Sequence, residues 1–313
     1  MLNAKNKIIA IIGPTASGKT KLGVYLASKF NGEIVSADSR QVFRGMDVGT
    51  GKDLKEYLIE KGGKKVKVPY HLIDIASPKT EFNLAKYQKM AYRAIDDILR
   101  RGKLPILVGG TGLYLQAVID GYSLSRSRPD ENLRKRLEAM YVGKLFVYLR
   151  KLNPVATAGL NESDRKNKRR LVRKIEMIKG GEDGASIRGE VKYDALILGI
   201  KPEKEKVEKR IYKRLIERLE KEDMIEEVKK LHKSGISWKR MDGFGLEYRF
   251  IALYLQKKIN YEEIVEQLFI AIRQFAKRQL TWFRRWEKQG KRIYWMQSKK
   301  EVVALVKEFI RNK

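Results

Sequence analysis

The stretch IIAIIGPTASGKTKLGVYLA, beginning at Ile8, constrains the fold more than any other part of the chain. Lys7–Gly13 (KIIAIIG) is nearly continuous in aliphatic residues, the pattern of a strand buried on both faces of a parallel sheet. Lys19–Phe30 then spaces Leu22, Tyr25, Leu26 and Phe30 at helical intervals. Between them GPTASGKT fits the spacing G-x-x-x-x-G-K-[ST], with Gly13, Gly18, Lys19 and Thr20 at the fixed positions. Strand, glycine turn and helix in this order make a phosphate cradle. Gly13 and Gly18 let backbone amides turn inward, and the helix N-terminus adds partial positive charge. Lys19 neutralises phosphate oxygens and the Thr20 hydroxyl can ligate Mg²⁺. The cradle comprises Gly13, Pro14, Thr15, Ala16, Ser17, Gly18, Lys19 and Thr20. Loops of this kind hold diphosphates as well as triphosphates, so the motif leaves the phosphate compound open.

Further along, the same alternation continues. Gly32–Phe43 reads as a strand running into a polar turn, Tyr70–Ile75 as a third strand, and FNLAKYQKMAYRAIDDILRRG as a helix ending at Gly102. Leu104–Tyr114 is another buried strand entering a glycine turn. The rhythm breaks from about Gly121 to Asp194 and resumes with Tyr193–Ile200. A charged helix over Glu203–Lys233, a loop through WKRMDGFGLEYR, a helix from Tyr261 to about Trp286 and a terminal strand–helix pair complete the chain. The expectation is an α/β core with a P-loop kinase-like parallel sheet, its ligands at the carboxyl ends of the strands. Residues 1–120 and 194–313 form that core and 121–193 a small helical insertion.

Charge narrows the partner. Lys+Arg number 68 against 38 Asp+Glu, a formal net charge of +30. A charged surface of thermophilic type accounts for the total but not for the imbalance, which points to a polyanion, most simply nucleic acid. With no Cys and 2 His, thiolate and imidazole metal sites are excluded, and any metal is a hard cation held by oxygens. No apolar run reaches membrane-spanning length and residues 1–7 lack a signal-peptide segment, so a cytosolic chain is expected.

Several side chains gather near the phosphate loop. Asp38, at the end of the second strand, belongs on the same rim of the sheet, where it can ligate metal, accept a proton or cap the turn DSRQ. GGTGLY (Gly109–Tyr114) closes the next strand there, with Thr111 offering a hydroxyl; its glycines serve either ligand approach or tight packing. DRKNKRRLVRKIEMIKGG places Arg165, Arg169, Arg170 and Arg173 along one helix with few acidic companions, an arrangement that favours nucleic acid over a solvated face. KRQLTWFRRW (Lys277–Trp286) interleaves cations with aromatic residues that are usually core. Arg210 and Arg214 could pair with neighbouring Glu or reach the phosphate. His71 and His232 are too scattered for a metal site.

Taken together, GPTASGKT, DSRQVF, MDVGTGK, PYHLIDI, GGTGLY, NKRRLVRKIE and KRQLTWFR resemble the tRNA dimethylallyltransferase family, in family order from residue 13 to residue 284. The resemblance implies that the loop holds dimethylallyl diphosphate and that the five-carbon group passes to N6 of adenosine 37 of tRNA, beside the anticodon. It also implies a kinase-like core with an insertion that grips the anticodon stem-loop. Asp38 matches the family's base. Lys19, Mg²⁺ on Thr20, and Arg210 match the groups that neutralise the leaving diphosphate, with Arg214 beside them, and Thr111 matches a position near the reacting adenosine. By the same match Asp38, Ser39, Arg40, Gln41, Thr111, Arg134, Arg169, Arg170, Arg173, Lys277, Arg278, Gln279 and Arg284 contact tRNA. The base must leave its stack to reach the donor. Phe43 stands where the family usually has Tyr, Tyr70 where His is common, and GFGLEYR replaces the usual glycine-tyrosine-lysine form; the insertion is short. The chain is expected to be a monomer with no membrane association. The alternatives are a nucleotide or small-molecule kinase using the same loop on ATP, and an RNA-binding NTPase without group transfer.

Overall fold

The computed structural model describes residues 6–124, 130–182 and 187–312. Strand β1 (Lys7–Ile12) buries every residue after Lys7. Each such isoleucine, fully removed from water, contributes about 1.5–3 kcal/mol before entropy is counted. The phosphate loop leads into α1 (Lys19–Lys29), then β2 (Gly32–Ser36). A short 3-10 turn over Leu54–Tyr57 precedes the hairpin β3 (Leu58–Lys61) and β4 (Lys64–Lys67), followed by β5 (Tyr70–His71), α2 (Leu84–Arg100), β6 (Leu104–Gly109) and α3 (Gly112–Ile119).

The chain divides into two compact units, 120–190 and the remainder. The first holds β7 (Tyr122–Ser123), α4 (Glu131–Ala139), α5 (Val142–Leu152), α6 (Pro154–Ala158), α7 (Glu162–Arg165), α8 (Lys168–Lys179) and β8 (Ile187–Arg188). Its small core is Leu137, Leu145, Leu149, Leu171 and Ile175. The larger unit continues with β9 (Asp194–Gly199), α9 (Lys204–Glu220), α10 (Met224–Lys233), α11 (Trp238–Phe244), α12 (Leu246–Leu255), α13 (Tyr261–Lys288), β10 (Tyr294–Trp295) and α14 (Lys299–Arg311).

The six-stranded sheet runs β10-β9-β1-β6-β2-β5 with every neighbouring pair parallel. Register brings the carboxyl ends together: Ile12 lies beside Gly109 and Gly199, and Ser36 beside Val108. The loops after β1, β2 and β6 therefore open on one rim, the place where such sheets bind ligands. At the other end of β2 the buried Glu33 meets Arg101 (2.5 Å), Lys103 (2.7 Å) and His71 (2.8 Å), and Arg101 first among them holds its carboxyl far below the usual range. His71 is thus a structural partner.

Several expected elements differ. The third strand stops after His71 because Leu72 (φ 64°) and Asp74 (φ 57°) leave extended backbone. The helix expected over Glu203–Lys233 is two, broken at Asp223 in the left-handed region (φ 54°). WKRMDGFGLEYR is helical rather than a loop, α11 and α12 meeting at Gly245 (φ 71°) with Ser237 capping α11 through Arg240 N. Arg165 closes α7 and does not share a helix with Arg169; Asn167 caps the new start by accepting from Arg170 N. The β3–β4 hairpin turns at Gly62–Gly63, a dipeptide that favours such turns, but its lysine flanks mask the strand pattern. Tyr25, on the helical stripe with Leu22 and Leu26, is exposed, with Lys29 and Lys299 over its ring. Among the described residues no helix is long and apolar enough to cross a membrane.

Candidate active site

The phosphate loop curls back on itself. Lys19 Nζ donates to Pro14 O (2.6 Å), and Ala16 (φ 57°) and Gly18 (φ 87°) supply the left-handed turns. The loop is fixed from outside by Gln279 of α13, which accepts from Thr15 N (2.8 Å) and donates to Gly110 O (2.9 Å). One side chain thereby ties the loop after β1 to the loop after β6. Gln279 is expected from the sequence among RNA-facing residues; instead it is buried and committed to this bridge. Ser17 is buried in the loop and its hydroxyl has no partner among the described residues. A buried hydroxyl left unpaired is costly, and a phosphate oxygen in the cradle would satisfy it. Burial pushes the Lys19 ammonium down to about 8, Asp38 opposing the shift and Arg214 adding to it.

Arg210 and Arg214 come from α9. Arg210 is exposed and its Nη1 reaches Ala16 O at 3.5 Å, beside the phosphate loop. Arg214 is half-buried and lines a small cavity with Thr15, Ala16, Arg218 and Glu247. Thr20 is half-buried at the start of α1.

Asp38 lies two residues beyond the end of β2. Its Oδ1 accepts from Arg40 N (2.9 Å) and Gln41 N (3.3 Å), so it caps the turn. The turn is docked onto the β6 loop: Thr111 N donates to Ala37 O (3.2 Å) and Thr111 Oγ1 accepts from Ser39 N (3.1 Å). A Cβ at Gly109 would collide with the backbone carbonyl of Ala37, which makes glycine obligatory for this approach. Ala37, Ser39 and Thr111 thus form one hydrogen-bonded corner that carries Asp38, and Asp38 acts electrostatically on Lys19. Gln41 Nε2 donates to Gly51 O (3.3 Å).

No motif in the sequence signals the clamp behind this corner. Glu227 of α10 accepts from the amides of Asp47 (2.7 Å), Val48 (2.7 Å) and Gly49 (3.1 Å), and from the Tyr248 hydroxyl (2.7 Å). Lys52, buried, donates to Phe43 O (2.6 Å), Asp47 Oδ1 (2.8 Å) and Asp74. Glu247 of α12, buried, pairs with Arg40 (2.5 Å) and lies 3.9 Å from Arg218. Only the repeated attachment of α9–α12 to residues 40–52 reveals these roles, and the partners lie far apart in sequence.

The basic residues separate into two groups. In the helical unit Arg134 makes a two-pronged contact with the buried Glu176 (2.7 and 2.8 Å), and Arg173 reaches the same carboxylate at 3.3 Å. The expectation that the arginine run lacks acidic relief is corrected for Arg173, which with Arg134 neutralises a buried acid, and for Arg170. Arg170 pairs with Asp164. Arg169 is exposed. On α13 Lys277, Arg278 and Arg284 are exposed while Phe283 and Trp286 are core. Lys277 and Arg284 border a cavity of about 780 Å³ walled by Pro14, Val207, Ile211 and Leu280.

Residues 41–286 match the family described as IPP transferase, and residues 6–63 the one described as isopentenyl transferase. A tRNA dimethylallyltransferase of Syntrophus aciditrophicus is 47% identical over 93% of each chain, and one of Treponema denticola 46% identical over 94% of this chain and 97% of its own. Among solved structures, the tRNA isopentenylpyrophosphate transferase of Bacillus halodurans superposes with a TM-score of 0.68 at 37% identity, over 97% of this chain and 95% of that one. A eukaryotic dimethylallyltransferase acting on tRNA gives 0.73 at 27% identity, over 88% of this chain and 69% of that one. These relatives do not favour the kinase reading. On sequence and on fold, this chain belongs to the tRNA dimethylallyltransferase family.

Proposed function

We propose that the chain transfers a dimethylallyl group from dimethylallyl diphosphate to N6 of adenosine 37 of tRNA. The observation that supports it best is the juxtaposition at one sheet rim of a phosphate cradle, with its unpaired buried Ser17 hydroxyl, and the Asp38–Thr111 corner. In the step, the N6–carbon bond forms, the carbon–oxygen bond to diphosphate breaks and one N6 proton leaves. Adenine N6 is a weak nucleophile because its lone pair is delocalised into the ring, so a carboxylate to take that proton is needed, and Asp38 fills the role. The departing diphosphate gathers charge, which Lys19, the loop amides, Arg210 and Arg214 neutralise. The target base must be unstacked to reach this corner.

A divalent cation fits. Among the described residues no group of three or more His, Asp or Glu could hold a metal ion, so Mg²⁺ would take the Thr20 hydroxyl, diphosphate oxygens and water, its usual preference. When bound it supplies further neutralisation of the leaving group.

Incubation with unmodified tRNA and labelled dimethylallyl diphosphate should place label in tRNA with release of diphosphate. ATP consumption without labelled tRNA would overturn the proposal. For RNA contact the exposed Arg169, Lys277, Arg278 and Arg284 are the candidates, with the Asp38–Gln41 turn at the target base. Arg169→Ala should weaken tRNA binding and flatten the salt dependence by about one unit of slope, the effect of leaving one more phosphate to its counterions. Arg173→Ala should act instead on thermal unfolding of the helical unit, because it removes one of the two arginines that neutralise the buried Glu176. Titrating tRNA against salt and melting both variants separates the two effects.

A further inference from the structure

If Asp38 is the base, its nearest hazard is its own neighbour. Arg40 is two residues away, and its backbone amide already donates to Asp38 Oδ1. A guanidinium is a strong partner for a carboxylate, and pairing lowers the basicity of an aspartate by about one to three pKa units. The structure sends the guanidinium elsewhere. Arg40 Nη1 lies 2.5 Å from Glu247 Oε2, and the guanidinium carbon sits 5.7 Å from the centre of the Phe275 ring.

Glu247 is built into place for this. It is 3% exposed and falls in the first turn of α12, just after Gly245 (φ 71°) and Leu246 (φ 41°), where the helix N-terminus favours an acidic side chain. Its other oxygen, Oε1, lies 3.9 Å from Arg218 Nη1, so the carboxylate divides between two half-buried arginines. Arg218 is in turn confined: a Cβ on Gly51 would collide with its guanidinium. Burial opposes the Arg40 charge, while Glu247 and then Asp38 favour it, which puts the guanidinium within the field of both carboxylates. Two acids compete for one cation, and the buried one holds it.

We propose that Glu247 is a positioning residue that keeps the Arg40 guanidinium off Asp38, leaving the Asp38 carboxylate free to accept the proton; this rests on the reading of Asp38 as the base. Glu247→Gln keeps the shape and an acceptor but removes the charge, so Arg40 is released toward Asp38. The distinguishing feature is rescue. Once the Arg40 side chain is removed, Glu247→Gln should cost nothing further, whereas a scaffold defect would persist or deepen.

The test compares single-turnover rates at saturating tRNA and dimethylallyl diphosphate for Glu247→Gln, Arg40→Met, the double variant and Asp38→Asn. Glu247→Gln should be at least about tenfold slower than the parent, with dimethylallyl diphosphate affinity within about twofold. The double variant should return to within about threefold of Arg40→Met alone, a non-additive result. A parental rate in Glu247→Gln, or a double variant slower than Arg40→Met by the full factor that Glu247→Gln costs the parent, would overturn the proposal. Should the unbalanced arginines prevent Glu247→Gln from folding, Glu247→Asp, one methylene short of Arg40, carries the comparison: its deficit must vanish when Arg40→Met is added. Parental turnover in Asp38→Asn would overturn the base assignment instead, and is seen independently of the Glu247 variants.

Discussion

Replacing Asp38 with Asn is expected to slow transfer by about two to four orders of magnitude while leaving tRNA affinity within about twofold of the parent. Asn is the informative substitution because of what Asp38 does in the fold. Its Oδ1 accepts from the amides of Arg40 and Gln41, and an asparagine Oδ1 accepts from them equally. The corner built by Thr111, Ser39 and Ala37 also survives, since none of its bonds uses the carboxylate. What disappears is the ability to take a proton. Ala would remove the turn cap together with the base and confound the two. Single-turnover rates at saturating substrates, with tRNA binding measured in parallel, check the prediction; a rate within tenfold of the parent would leave the proton without its acceptor.

The contrast between Asp38 and Glu247 explains how much of the site is legible in the sequence. The phosphate loop is a local device: strand, turn and helix are contiguous, and every residue of the cradle lies within eight positions. The rim follows from a general property of parallel sheets, so placing Asp38 and Thr111 beside that loop needs only the strands to be recognised. Roles that depend on distant partners stay hidden. Gln279 reads as one polar residue in a basic run, yet its environment is set by Thr15 and Gly110. Arg173 reads as a free cation until Glu176 is seen to be buried against it and Arg134. Backbone conformation is the second blind spot. The break at Asp223 and the short β5 arise from left-handed residues other than glycine, which carry no strong sequence signal. The stretch Trp238–Arg249 reads as a loop because Gly243 and Gly245 punctuate it, although it is almost wholly helical.

Lys19 should show its role through pH as well as through mutation. An ammonium is best stabilised by water, and burial in the loop brings its pKa from 10.5 down to about 8. A diphosphate bound in the cradle favours the charged form and raises that value again. Between the free and bound values, binding takes up a proton, so affinity for dimethylallyl diphosphate should fall as pH rises above about 8, approaching tenfold per pH unit. Below that pH Lys19 is charged in both states and the dependence flattens. The diphosphate does not confound the slope, because the last phosphate proton is lost near pH ~6. Lys19→Met keeps a comparable stem but cannot titrate; it should abolish the alkaline slope and slow transfer by about two to three orders of magnitude, as for removal of one preorganised donor to a developing anion. Affinity measured from about pH 7 to 10 at fixed Mg²⁺, in parent and variant, spans the window in which Lys19 titrates. A slope that persists in Lys19→Met would assign the titration to another group and remove Lys19 from the leaving-group side of the reaction.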